Sequence, residues 1–252
     1  MDVLIFDAVR TPRGKGRPDG SLAAIKPVEL IAQLVAALAR RDGEAALAAA
    51  GHITLGCVTQ HGAQGGHLAL AARIRAGLSD RLPCLTLNNF CVSGLSAIAD
   101  AARRVATGQV DLALAGGVES MSQVPFLADA ADYYADLTLA AEMGWAPVGL
   151  AADLLATREN LSREALDAAV LESHRRAARA WADGRYADRV IPVRAETGEI
   201  ALDRDENIRD FGDGAGLQRL PPVFAQAGAQ GYDDILLAAQ PDLREIRHLH
   251  SV

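Results

Sequence analysis

The residue with the clearest chemical potential is Cys91. It follows a short apolar run, Leu85-Thr86-Leu87, and the polar triplet Asn88-Asn89-Phe90. From Cys91 onward, Leu95, Ile98, Ala102 and Val105 recur at helical spacing. A cysteine between a strand end and a helix start faces the unpaired N–H groups and the positive end of the helix dipole. That environment favours an anion, and a thiolate is the nucleophilic form of cysteine. Gly94 lets another group approach the first helical turn closely. The pattern fits a nucleophile presented at the carboxyl end of a parallel strand. The competing reading from position alone is a small apolar group packed in a core.

The other chemistry-bearing residues form weaker patterns. Cys57 and Cys84 read as strand packing, and the spacings among the three cysteines contain no CxxC knuckle. Lys15 and Lys26 are the only lysines, so Schiff-base chemistry has few candidates. His52, His61, His67, His174, His248 and His250 show no zinc-like pairing, and His248 and His250 read as loop residues. No metal site is expected. Gly14-Lys15-Gly16 lies in no βα turn and does not support dinucleotide binding. Arg175, Arg176 and Arg179 share one helix, either to meet phosphates or as a solvated face. Glu119, after two glycines, reads as a carboxylate bonded to loop backbone.

These residues must be held by a larger frame. Strands are expected near residues 2–8, 52–58, 84–90 and 110–116, in a mainly parallel sheet of an α/β fold. Pro27 opens a helix at its first turn, with Leu30, Ile31, Leu34, Val35 and Leu38 on one face. Leu85 to Gly117 reads as a βαβ unit, with Gly108 as helix stop. After residue 120 the chain becomes loop and helix. Ser162 caps a long helix whose expected buried face is Leu166, Ala169, Val170, Ser173, Ala177 and Trp181, ending at Asp183-Gly184. A hairpin is expected around Glu196-Thr197-Gly198-Glu199. The division expected is an α/β domain over 1–120 and an α-rich region over 121–252.

Composition narrows the class. The chain has 252 residues, half of them apolar and 23% charged, which excludes a disordered chain or a disulfide scaffold. Lys+Arg total 25 and Asp+Glu 32, so the net charge is −7 and general nucleic-acid binding is not expected. No apolar run reaches about 18 residues, so no membrane span is expected. An odd number of cysteines and the absence of an export signal point to the cytoplasm.

The run Asn88-Asn89-Phe90-Cys91-Val92-Ser93-Gly94-Leu95-Ser96-Ala97 resembles the acyl-accepting cysteine motif of thiolases. The likeness extends to Arg10-Thr11-Pro12, Gly20-Ser21-Leu22-Ala23, Leu55-Gly56-Cys57-Val58-Thr59-Gln60, Gln64-Gly65-Gly66, Gly108-Gln109-Val110-Asp111 and Ala115-Gly116-Gly117-Val118-Glu119-Ser120-Met121-Ser122. Met143-Gly144 and Leu161-Ser162-Arg163-Glu164 through Ser173-His174 resemble the family's CoA-binding loop domain. Arg209 matches a family position near the CoA adenine. The resemblance covers essentially the whole chain. It implies a thiolase-like N-terminal α/β domain followed by a loop domain. It also implies 3-ketoacyl-CoA thiolase or acetyl-CoA acyltransferase chemistry, with acyl-CoA and CoA as substrates and no permanently bound cofactor. Cys91 is then the catalytic residue, with Met143 and Arg209 in the CoA-binding region. The Gln60/Gln64 loop resembles degradative members more than short-chain biosynthetic ones.

The departures set further expectations. Val92 stands where a serine is common, Asn89 where an arginine is common, and Glu142 where some members place a histidine. Family members carry, in a second homologous half, an asparagine for a catalytic water, an activating histidine and a second cysteine. Their motifs are absent here, where the residues end at His248-Leu249-His250-Ser251-Val252. The expectation is a thiolase half that needs a complementing second half, in a homodimer or with a partner chain. The alternatives are a non-catalytic CoA-binding or partner-scaffolding fragment and a β-ketoacyl synthase relative. The loop region argues against the latter.

Overall fold

The computed structural model describes residues 2–212 and 214–251. The limits expected at residues 1 and 252 lie outside them. The chain forms two compact units, each built from two stretches of sequence. The first unit is 1–129 with 185–207; the second is 130–184 with 208–252. The sequence reading drew a single boundary after residue 120. The return of 185–207 to the first unit rests on contacts far apart in sequence. Arg10 forms two hydrogen bonds to Asp205, at 2.7 and 2.8 Å. The Glu206 carboxylate accepts from the Lys15 N–H and the Ser21 hydroxyl.

The first unit opens with α1 (Pro27–Asp42) and the short α2 (Glu44–Ala48), followed by β1 (His52–Gly56). Helix α3 (Leu68–Arg75), β2 (Cys84–Leu87), α4 (Ser93–Ala106) and β3 (Ala113–Gly117) come next. The three strands form a parallel sheet in the order β2-β1-β3. All five residues of the central strand β1 are buried. Strand alternation splits them between two layers. Ile53 and Leu55 face Ile31 and Val35 of α1 and Ala69 and Ala72 of α3. His52, Thr54 and Gly56 face α4. There the Thr54 hydroxyl donates to Asp100 at 2.8 Å, and Arg104 donates to the same carboxylate. The Asp100 carboxyl lies below its ordinary range: burial opposes ionisation, but the hydrogen bonds from Arg104 and Thr54 outweigh it. His52 Nε2 is buried without a partner, and burial holds the ring toward its neutral form.

The expected strand over 2–8 does not form. Leu4, Ile5 and Phe6 are 85, 78 and 77% exposed. Among the described residues nothing pairs with this run, and the nearest bridge is Arg10 to Val190. An apolar extended segment becomes a strand only with a ladder partner, and here β3 is left as a sheet edge. The sheet therefore has three strands rather than four. The other three are shorter than expected, at 52–56, 84–87 and 113–117.

Local signals are obeyed elsewhere. Pro27 occupies the first turn of α1, and Gly108 follows α4 with φ +72°. Strands β4 (Val193–Arg194) and β5 (Ile200–Leu202) form the antiparallel hairpin of the first unit, with Gly198 at φ +87° in its turn.

The second unit contains α5 (Leu137–Met143), α6 (Val148–Arg158), α7 (Arg163–Ala182), α8 (Ala215–Gln218), α9 (Ala225–Ala227) and α10 (Asp233–Ala238). Ser162 caps α7 by accepting from the Ala165 N–H. The expected apolar face of α7 is only half covered, and Ala169 and Ser173 are exposed. The buried residue of α7 is Asp167, paired with Arg163 at 2.9 Å. No single described helix is long and apolar enough to cross a membrane, although the bent pair α5–α6 together reaches that length and composition.

Residues 246–250 dock on α6 through a polar cluster. Asp153 is fully buried and accepts from the N–H groups of Leu249 and His250, at 2.9 and 3.0 Å. Its carboxylate also meets the His250 ring at 2.6 Å and the His248 ring at 3.3 Å. His248 Nε2 lies 3.0 Å from Asp233 of α10. Burial opposes ionisation of Asp153, yet the hydrogen bonds from His250 and the backbone hold its carboxyl below the ordinary value.

Two outcomes are expected. Gly56→Ala places a methyl group 2.5 Å from the Ser93 carbonyl carbon; it should cost about 1–3 kcal/mol in urea unfolding, as overpacking of a backbone contact does. Asp153→Asn should cost about 1.5–3 kcal/mol at pH 7, the scale of charge-assisted hydrogen bonds. Because the native carboxyl titrates low, its contribution is complete above the ordinary value of 3.8 and is lost as pH falls through the depressed native one. Acid denaturation of the variant should lack that component.

Candidate active site

The site is built where β2 hands the chain to α4. Cys91 is exposed and lies just before Val92, the N-cap of α4. No side chain caps this helix end. Of its first-turn N–H groups, that of Ser93 donates to the Phe90 carbonyl at 2.9 Å, which leaves those of Gly94 and Leu95 to an anion on the Cys91 side. Cys91, the cysteine singled out in the sequence, lies beside this helix terminus.

A turn with an unusual backbone precedes the thiol. Phe90 has φ +47°, a left-handed conformation that a bulky side chain rarely adopts. Its ring is half exposed, so core packing does not impose the geometry. The Phe90 N–H donates to Asn88 Oδ1 at 2.9 Å, while Asn88 Nδ2 donates to the Val58 carbonyl at 3.1 Å. Asn89 Nδ2 donates to the Ser96 hydroxyl at 2.8 Å, tying the turn to α4.

Beneath the site, Glu119 organises the loop after β1. Its carboxylate accepts from the N–H groups of Val58 and Thr59 and from Gln64 Nε2 at 2.7 Å. Gln64 is fully buried, and its Oε1 accepts from the Ser120 N–H. Glu119 is thus a scaffold for backbone, as the sequence suggested. Cys57 is buried beside it, with Sγ 3.9 Å from Glu119 Oε2. Burial, followed by the neighbouring carboxylate, pushes the Cys57 thiol up to about 12. Cys57 is thus buried and held in its thiol form, and Cys91 is the exposed cysteine.

The residues expected to meet CoA lie in the second unit. Met143, at the end of α5, is 56% exposed, and Gly144 after it takes the left-handed conformation that closes the helix. Arg209 is exposed, and its backbone N–H donates to His174 Nδ1 at 3.1 Å. Arg176 is engaged by Glu172 at 2.7 Å, while Arg175 and Arg179 are exposed. No group of three or more His, Cys, Asp or Glu suited to a metal ion occurs among the described residues. The convergence of His248 and His250 on Asp153 escaped sequence reasoning. The partners lie 95 and 97 positions apart, and no local pattern joins them.

Comparison with known proteins places this geometry in a family. The model of the thiolase N-terminal domain matches residues 3–231. The beta-ketoadipyl-CoA thiolase of Pseudomonas knackmussii is 35% identical over 240 residues, covering 88% of this chain and 59% of that protein. The 3-ketoacyl-CoA thiolase of Bacillus subtilis is 34% identical over 241 residues, covering 90% and 60% respectively. The beta-ketothiolase BktB of Cupriavidus necator is 35% identical over 239 residues, covering 89% and 60%. The chain thus spans about three fifths of the length of the curated relatives it matches. An exposed thiol at an uncapped helix start, on a parallel sheet whose sequence matches this domain almost throughout, identifies the chain as a member of the thiolase family.

Proposed function

We propose that the chain is the nucleophile-bearing part of an acyl-CoA C-acyltransferase that acts through an acyl-Cys91 intermediate. The observation that carries this reading is the exposed Cys91 thiol at the side-chain-free N-terminus of α4. The Cys91 thiolate attacks the 3-keto carbon of a 3-ketoacyl-CoA. The bond between C2 and C3 then breaks, its electron pair stays on C2, and protonation there releases acetyl-CoA. The acyl group remains on sulfur as a thioester. A second CoA thiol attacks that thioester, the Cys91 thiolate leaves, and the shortened acyl-CoA departs. The reverse order is a Claisen condensation. Splitting one carbon–carbon cleavage into two acyl transfers lowers each barrier. The backbone N–H of Cys91 suits the thioester oxyanion.

The base that activates Cys91 and the acid for C2 come, in this reading, from a second thiolase half, supplied in a homodimer or by a complementing chain. The exposed apolar residues Leu4, Ile5 and Phe6 and the outer face of α4, with Leu95 and Ile98, support such a covering element. In this reading CoA is bound by the second unit, 130–184 with 208–252, in place of the span 121–252 expected from the sequence. Met143 and Arg209 lie on it and contact CoA. CoA is substrate rather than resident cofactor, and the reaction takes place in the cytoplasm.

The test is transfer of an acyl group from a short-chain acyl-CoA, read by intact mass and peptide mapping, with the second half of a related thiolase added. One acyl group per chain on Cys91 is expected, and none in Cys91→Ser. A scaffolding role would leave Cys91 unmodified while CoA still protected the second unit from proteolysis. Brief alkylation at pH 7 should label Cys91 and spare Cys57, whose thiol, pushed up to about 12, has almost no thiolate there.

A further inference from the structure

We propose that Ser93 is a positioning residue for the Cys91 nucleophile: its buried hydroxyl locks Phe90 in the left-handed turn that aims Cys91 across the start of α4. The proposal rests on the reading of Cys91 as the acyl acceptor. Ser93 is only 4% exposed. Its Oγ accepts from the Asn89 N–H at 2.8 Å and donates to the Phe90 carbonyl at 2.6 Å. One hydroxyl thus ties the Asn89 N–H, ahead of the strained residue, to the Phe90 carbonyl that follows it, and its single proton is fully used. The Ser93 N–H also donates to the Phe90 carbonyl, at 2.9 Å.

The clamp is itself anchored from below. A Cβ on Gly56 would lie 2.7 Å from the Ser93 Cβ, so the backbone of β1 forms the floor of this position. Gly56 pairs in register with Leu87 of β2 and Gly117 of β3, in the middle of the sheet. Rigidity therefore passes from the central strand through Ser93 to the peptide groups before Cys91. A non-glycine residue at positive φ costs free energy and persists only where its surroundings over-determine it. Here the over-determining contacts come from Ser93 and Asn88. Released from them, Phe90 relaxes to the favoured region and turns Cys91 away from the helix terminus.

The test is the iodoacetamide alkylation rate of Cys91 in the full chain, mapped by peptide mass and referred to Cys84 in the same molecule. In the wild type, Cys91 is expected to react at pH 7 much faster than a free cysteine. Ser93→Ala should slow it at least tenfold at pH 7. At pH 10, where thiols ionise without help, the rate should stay within twofold. A general loss of packing would instead expose Cys57 and Cys84 and raise their labelling at both pH values. If Ser93→Ala does not fold, Asn88→Ala, which removes the acceptor of the Phe90 N–H, decides the question and should slow Cys91 with the same pH pattern. A fast wild type with Ser93→Ala, or with Asn88→Ala in its place, within twofold at pH 7 overturns the positioning role alone. A wild-type Cys91 no faster than free cysteine overturns the nucleophile assignment and the positioning role with it.

Discussion

The first unit depends on one close approach, the backbone of Gly56 in β1 against the first turn of α4. A side chain at position 56 would meet the Ser93 carbonyl group at 2.5–2.6 Å, so only glycine permits this distance. Gly117 repeats the theme, since a Cβ there would fall 2.7 Å from the Gly56 carbonyl oxygen. Backbone packed on backbone leaves little freedom to slide, because close-packed interiors transmit displacement rather than absorb it. The register of α4 on the sheet, and therefore the place of Cys91, follows from this contact. The polar seam farther along, Thr54 to Asp100 to Arg104, keeps the rest of α4 in the same register.

Helix α4 distributes its side chains in a way that follows from that proximity. Its buried residues are small: Ser93, Ala97 and Ala101. Its large apolar residues Leu95 and Ile98 point away from the sheet, at 67 and 43% exposure. Each is worth about 1.5–3 kcal/mol when fully covered. The helix is therefore apolar on two sides, tightly packed on one and open on the other. Phe90 and Val92, each about half exposed, extend the open side to the thiol itself. The open side of α4 and the exposed thiol thus form one continuous, largely apolar surface.

The second unit uses a different device. Its last described residues are fastened by Asp153, a buried carboxylate that receives two backbone N–H groups and faces two histidine rings. A buried charge is tolerated only when its lone pairs are filled, and here both carboxylate oxygens are engaged. The result is a stretch without helix or ladder, 246–250, that is nonetheless fixed in place.

What the sequence alone determined is what local chemistry specifies. Pro27 at a first turn, Ser162 as a cap, Gly108 and Gly198 at positive φ, and the apolar runs of β1, β2 and β3 each act within a few residues, so elements and their order were legible. The placement of Cys91 between strand and helix was legible for the same reason, as was the family to which its motif belongs. Tertiary structure decided whatever needs a partner distant in the chain. Residues 2–8 have the composition of a strand but form no ladder among the described residues, because a ladder is made by two segments and composition describes one. Helix periodicity located the apolar residues of α4 and α7 without revealing which side is covered, since coverage belongs to the neighbour. The Asp153 cluster, the return of 185–207 to the first unit and the clamp of Gly56 on Ser93 likewise join residues dozens of positions apart. Only the folded chain brings them within hydrogen-bonding or van der Waals distance.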